Sequence, residues 1–291
     1  MKIGFIGLGM MGHPMAERLI ASGFDVRVAD ANAALAATFG ASWVASPAEA
    51  AAHADVLITM LPNGQIVRDV LVGAGNAAAS LKPGAIVIDC SSSDAAGTVA
   101  LGEELAARGI RLVDAPVSGG VPLARDGKLT LMVGGTDSAL FEQLQPIFAQ
   151  LGARIAPVGK LGAGHAAKAI NMAIAACTLA ATCEGLTMGE RFGIDPAVLL
   201  DVINSSTGRS AVGETVVKNH VLPKSYAQGF ALALMTKDVG TADKMREHLG
   251  LNLPMLQATQ RQWSEALAAL GAGADFSEYD KFVQMELERD T

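Results

Sequence analysis

Residues 3–19 read "IGFIGLGMMGHPMAERL". An apolar run ends at Gly7, glycines recur as Gly7-x-Gly9-x-x-Gly12, and a helical pattern follows at once. The spacing alone is weak, because the chain holds 32 glycines. Its position between a strand pattern and a helix pattern gives it weight. Gly7 permits the tight turn, Gly9 lets backbone approach a pyrophosphate, and Gly12 lets helix pack on strand. The helix start then turns its N–H groups and positive dipole end toward the phosphates. Leu8, Met10 and Met11 complete the loop expected to contact a dinucleotide. An ordinary strand-to-helix turn is the alternative.

Asp30 closes the second strand pattern, where an acid following the glycines can bond the ribose 2′-hydroxyl. A carboxylate there would repel a 2′-phosphate, and no Arg follows in "DANAAL" (30–35). These residues predict NAD as the cofactor, with NADP disfavoured. The competing reading is that Asp30 only caps the next helix.

Further strand patterns run outward from the glycine loop: "KIGFI" (2–6), "DVRVA" (25–29), "ADVLITM" (54–60), "AIVID" (85–89) and "IRLVD" (110–114). Helical patterns closing on glycine separate several of them. Strand and helix in alternation predict a parallel sheet covered on both faces. "KLTLMV" (128–133), a helix capped by Thr136 or Asp137, and "RIAPV" (154–158) extend this domain to about residue 160. Beyond 163 the strand patterns almost vanish. One long helical pattern covers 165–192, and others cover roughly 209–220, 231–249, 253–270 and 277–288. The predicted fold is α/β. A doubly wound Rossmann domain (1–163) precedes an all-α substrate and oligomerisation domain (164–291), and a long helix joins them.

Composition narrows the function classes. The net charge is −7, with no Lys/Arg cluster, so a nucleic-acid footprint is not expected. The most apolar stretch, 169–183, is short and interrupted around Asn171 and Glu184, so no membrane span is expected. The N-terminus lacks the pattern of a secretory leader. Cys90, Cys177 and Cys183 read as buried free thiols of a reducing cytosol, which predicts a cytoplasmic protein. No Cys/His group has metal-ligand spacing, so no metal is expected.

Two stretches could carry chemistry. In "LVDAPVSGGVPLARDGKLTLMVGG" (112–135), Ser118-Gly119-Gly120 follows a strand end, where ligands of doubly wound sheets bind. Such a loop can offer a hydroxyl and successive N–H groups to an anion, or can be a plain loop. In "GAGHAAKAINM" (162–172), Lys168 and Asn171 stand three apart on one helix face. They could mark an active site or a solvated helix end. The spacing of a phosphate loop of the Gly-x-x-x-x-Gly-Lys-Ser/Thr kind is absent.

Taken in order, "GFIGLGMMGHPMA", "DAPVSGG", "GAGHAAKAIN" and "FALALMTKDVGTA" make the chain resemble the β-hydroxyacid dehydrogenases over nearly its whole length. The resemblance implies reversible hydride transfer between NAD and a small 3-hydroxy acid in an interdomain cleft, by a homodimer or homotetramer. It implies Lys168 as catalytic acid/base with Asn171 beside it, and Ser118, Gly119 and Gly120 on the substrate carboxylate. It further implies Phe230 as a cleft wall, and Leu61, Pro62, Ser92 and Lys237 on the cofactor side, Lys237 oriented by Asp238. The chain departs from the family where only Asn171, followed by Met172, serves as the asparagine after the lysine. It also departs in "NSSTGRS" (204–210), where Arg209 would meet a second substrate anion or lie in solvent. Reduction of a small semialdehyde would use the same residues. A non-catalytic NAD-binding module would tolerate their loss.

Overall fold

The computed structural model describes residues 1–289; the last two residues of the expected C-terminal domain, 290 and 291, lie outside the described residues. The chain divides into two compact units, Met1–Lys168 and the residues from Ala169 on.

Among the described residues the first unit holds an eight-stranded sheet. Its strands are β1 (Lys2–Ile6), β2 (Asp25–Ala29), β3 (Val56–Thr59), β4 (Ile86–Asp89), β5 (Arg111–Asp114), β6 (Val117–Ser118), β7 (Leu129–Gly134) and β8 (Gly152–Gly159). The order β2-β1-β3-β4-β5 is parallel throughout. The sheet is not parallel to its edge, as the sequence pattern suggested. β7 runs antiparallel to β5 and β6, and β8 pairs parallel with β7. The two-residue β6 falls inside the stretch read as a loop, too short to leave an alternating pattern.

The central strands are buried on both faces, which explains their continuous apolar runs. One layer packs Phe5, Met15, Leu19, Ile58 and Phe148 together; the other packs Leu57, Val67, Leu71, Val87 and Leu105. Each fully buried side chain of this size contributes about 1.5–3 kcal/mol. The helix Ser138–Leu151 is capped by Asp137, whose carboxylate accepts from the Leu140 N–H at 2.8 Å.

The helix Ala163–Phe192 begins in the first unit and continues through the second. It matches the long helical pattern expected over 165–192, starting two residues earlier. By length, and by a mean hydropathy of 1.4 over an 18-residue window, it matches a bilayer-spanning helix, although the core helix of a globular domain satisfies the same measures. Ala176, Leu179, Cys183 and Leu186 on this helix enter the core of the second unit, around Trp263, Tyr279 and Phe282. The other helices there include Pro196–Asn204, Leu232–His248, Pro254–Leu270 and Tyr279–Arg289. The segment Gly213–Val221, expected as ordinary α-helix, is wound as π-helix. The three cysteines are free; Cys90 and Cys183 are buried, while Cys177 is only partly so.

Candidate active site

The glycine loop joins β1 to the helix Gly12–Ala21. Gly7 sits at φ +98°, in the left-handed region, and a Cβ there would meet the Met60 carbonyl oxygen. A Cβ on Gly12 would strike the Gly7 carbonyl. Gly9 differs from both, because a Cβ there would meet nothing within 4 Å. The loop is therefore rigid at its ends and open in the middle. No side chain among the described residues caps this helix start, so its first-turn N–H groups are suited to an external anion. Leu8 is buried, Met11 half-buried and Met10 exposed.

Asp30 stands at the loop rather than capping a helix. Its Oδ2 accepts from the Leu8 N–H at 2.6 Å and its Oδ1 from the Asn32 N–H at 2.7 Å. Asn32 caps the following turn instead. A carboxylate oxygen holds more than one lone pair, so Asp30 can brace the loop and still accept a ribose hydroxyl. This donor and acceptor set fits a dinucleotide with an unmodified 2′-hydroxyl.

Leu61, Pro62 and Ser92 lie on the turns after β3 and β4, at the carboxyl edge of the sheet. The Leu61 N–H donates to Ser91 Oγ at 2.9 Å, which ties the two turns together. Ser118 ends β6, half-buried. Gly119 and Gly120 follow, exposed, at φ +137° and +73°, a backbone that side chains rarely adopt. Lys168 is half-buried and Asn171 exposed, both on the helix Ala163–Phe192.

In the second unit, Lys237 Nζ lies 3.1 Å from the buried Asp238 carboxylate. Phe230 packs edge-on against Phe276, with ring centroids 5.8 Å apart, at the margin of the aromatic core. Arg209 is exposed and donates from Nε to Glu214 at 2.6 Å.

Sequence reasoning missed a buried polar cluster at the same sheet edge. Thr59, Asp89 and Asp114 occupy matching register positions at the ends of β3, β4 and β5. Asp89 accepts from Thr59 Oγ1 at 2.9 Å, the Ser91 N–H at 3.0 Å and Ser93 Oγ at 2.8 Å. Asp114 accepts from the Gly162 N–H at 2.9 Å and the His165 N–H at 2.8 Å. The available signal was the aspartate ending each of two otherwise apolar strands, "IVID" and "RLVD".

An open glycine turn, an uncapped helix start and an acid just past the second strand, at the carboxyl edge of a doubly wound sheet, are the features of the dinucleotide-binding class of proteins. Residues 2–159 match the NAD binding domain of 6-phosphogluconate dehydrogenase, and residues 162–283 match the family model described as NAD-binding of NADP-dependent 3-hydroxyisobutyrate dehydrogenase. The 2-(hydroxymethyl)glutarate dehydrogenase of Eubacterium barkeri is 38% identical over 277 residues, covering 94% of this chain and 91% of that protein. The L-threonate dehydrogenase of Cupriavidus necator is 35% identical, covering 95% and 94%. The structure of Mycobacterium tuberculosis 3-hydroxyisobutyrate dehydrogenase with L-serine superposes with a TM-score of 0.89 at 31% identity, covering 97% of this chain and 98% of that one. The chain belongs to the β-hydroxyacid dehydrogenase family and is an NAD-dependent oxidoreductase.

Proposed function

We propose that the chain oxidises a small 3-hydroxy acid of the 3-hydroxyisobutyrate kind, reversibly, with Lys168 exchanging the hydroxyl proton. NAD, when bound, supplies the hydride chemistry. The Lys168 amine takes the proton during oxidation, and its ammonium returns it during reduction. Asn171, one helical turn on, orients the substrate hydroxyl or the lysine. Ser118, Gly119 and Gly120 hold the carboxylate through the hydroxyl and backbone N–H groups, as their left-handed backbone suits. Lys237, held by Asp238, serves the cofactor side, and Phe230 walls the substrate. Arg209, already engaged by Glu214, contributes less.

The observation that carries this reading is the glycine turn: it is closed at Gly7 and Gly12, open at Gly9, and braced by Asp30. The Asp30 carboxylate favours NAD over NADP by excluding a 2′-phosphate.

We also infer a soluble cytoplasmic homodimer or homotetramer. In the second unit, Ile170, Ile174, Met188 and Phe192 form one exposed stripe by the helical period. The first two border an apolar groove of about 470 Å³ lined also by Leu249, Leu253 and Met255. Exposed apolar area of this extent marks association surfaces.

The test is NADH production by the purified chain from a panel of small hydroxy acids: 3-hydroxyisobutyrate, L-serine, L-threonate and 2-(hydroxymethyl)glutarate. Turnover of at least one, with higher kcat/KM for NAD than for NADP, is expected. An absence of turnover would indicate a binding module, and a clear NADP preference would overturn the role of Asp30.

A further inference from the structure

Asp89 and Asp114 are neighbours on adjacent parallel strands, 2% and 0% exposed. Two like charges side by side in a dry interior are costly unless each is compensated. Asp89 draws its compensation from Thr59, Ser91 and Ser93, and Asp114 from two N–H groups at the start of the long helix. The His165 imidazole stands by both. Its Nε2 is 3.6 Å from Asp89 Oδ2, and its Nδ1 is 3.9 Å from Asp114 Oδ2 and 2.8 Å from Thr98 Oγ1.

The hydroxyl of Thr98, in the helix Ala95–Ala106, has one proton and gives it to the Asp94 carbonyl at 2.8 Å. It must therefore accept from His165, which places a proton on Nδ1. That bond fixes the ring plane and turns Nε2 toward Asp89. Nε2 has no hydrogen-bond partner among the described residues.

Glycine is required where the helix meets this cluster. A Cβ on Gly164 would meet the Met132 carbonyl and come within 2.8 Å of Asp114 Oδ2. Gly162, at φ +87°, would meet the Ala95 carbonyl. The helix start is pressed onto Asp114, and Lys168 follows His165 by one turn.

We propose that Asp114 and His165 are positioning residues for Lys168, and that Asp89 links this anchor to the loops bearing Leu61 and Ser92. Asp114 sets the height of the helix start, and the Thr98–His165 bond sets its rotation. Asp89, through Ser91, joins the same cluster to the Leu61 turn. The lysine and the cofactor-side loops thus share one rigid base. This inference rests on the reading of Lys168 as the proton-exchanging group.

The experiment compares Asp114→Asn, Thr98→Val, Thr98→Ser and Lys168→Ala in the full chain. It measures kcat, KM, NADH affinity, melting temperature and hydrogen exchange at the amides of 162–168. Asp114→Asn removes an acceptor and should lower kcat about 10- to 100-fold, the scale of a small misplacement of a reacting group. NADH affinity should stay unchanged while exchange at the Gly162 and His165 amides speeds up. Thr98→Val should lower kcat in the same way, and Thr98→Ser, which keeps the hydroxyl, should restore it. If Asp114→Asn does not fold, the Thr98 pair decides. Lower melting temperatures with wild-type kcat and unchanged exchange would overturn the positioning role while Lys168→Ala remains inactive. Full turnover by Lys168→Ala would instead overturn the underlying reading of the lysine, and the positioning role with it.

Discussion

Two Gly-x-Gly turns lead into helices in this chain, "GLGMMG" at 7–12 and "GAGHAAK" at 162–168. Both put glycine where a side chain would collide with backbone. At the first, the middle glycine faces open space and no side chain caps the helix. At the second, the N–H groups of Gly162 and His165 are already taken by the Asp114 carboxylate. A helix start favours an anion. The first turn leaves that place for a ligand, and the second fills it with an aspartate of the protein's own sheet. The same motif therefore leaves a helix start open in one place and makes a structural anchor in the other. The difference lies in what the neighbouring strand end supplies.

Substitutions can break this comparison. Gly12→Val should have the largest effect, since its Cβ meets the Gly7 carbonyl, which cannot move cheaply. A loss of about 3 kcal/mol in urea denaturation is expected, together with loss of NADH binding. Gly164→Ala should cost about 1–2 kcal/mol by pushing the long helix off Asp114, and should lower kcat more than it weakens NADH binding. Gly9→Ala should leave stability within about 0.5 kcal/mol, because the space is open. Its NADH affinity should fall about tenfold, or about 1.4 kcal/mol, as read by fluorescence titration. If Gly9→Ala binds NADH normally, the open turn is not the pyrophosphate site.

The smallest effect concerns the thiols. Burial pushes Cys90 and Cys183 well above the usual thiol range, with Asp89 adding to the effect at Cys90 and Asp280 at Cys183. Both should stay unreactive toward a disulfide reagent even at pH about 8.5, where an ordinary thiol is half ionised. Both should react after denaturation.

Much of this was legible in the sequence. β1 coincides with "KIGFI", a central parallel strand whose run after Lys2 is apolar, and the edge strand β2 coincides with "DVRVA", which alternates polar and apolar residues. The glycine spacing was legible because Gly7 and Gly12 each answer a separate steric demand and Gly9 leaves the turn open between them. The antiparallel β7 was not, since strand direction leaves no trace in a short apolar run. The Asp89–Asp114–His165 cluster was hidden for another reason. Its members lie far apart in sequence, and each alone reads as a strand-end acid or a helix-start histidine. Only the register of β4 on β5 makes the two acids neighbours.

The central claim is that Lys168 exchanges the substrate proton and is not needed to bind the cofactor, which the glycine turn and Asp30 hold. The direct test is Lys168→Ala beside wild type, with kcat on the best hydroxy acid of the panel and NADH affinity measured on the same preparations. The account predicts a loss of at least about 10²-fold in kcat, with NADH affinity unchanged. Near-normal turnover by Lys168→Ala would contradict it.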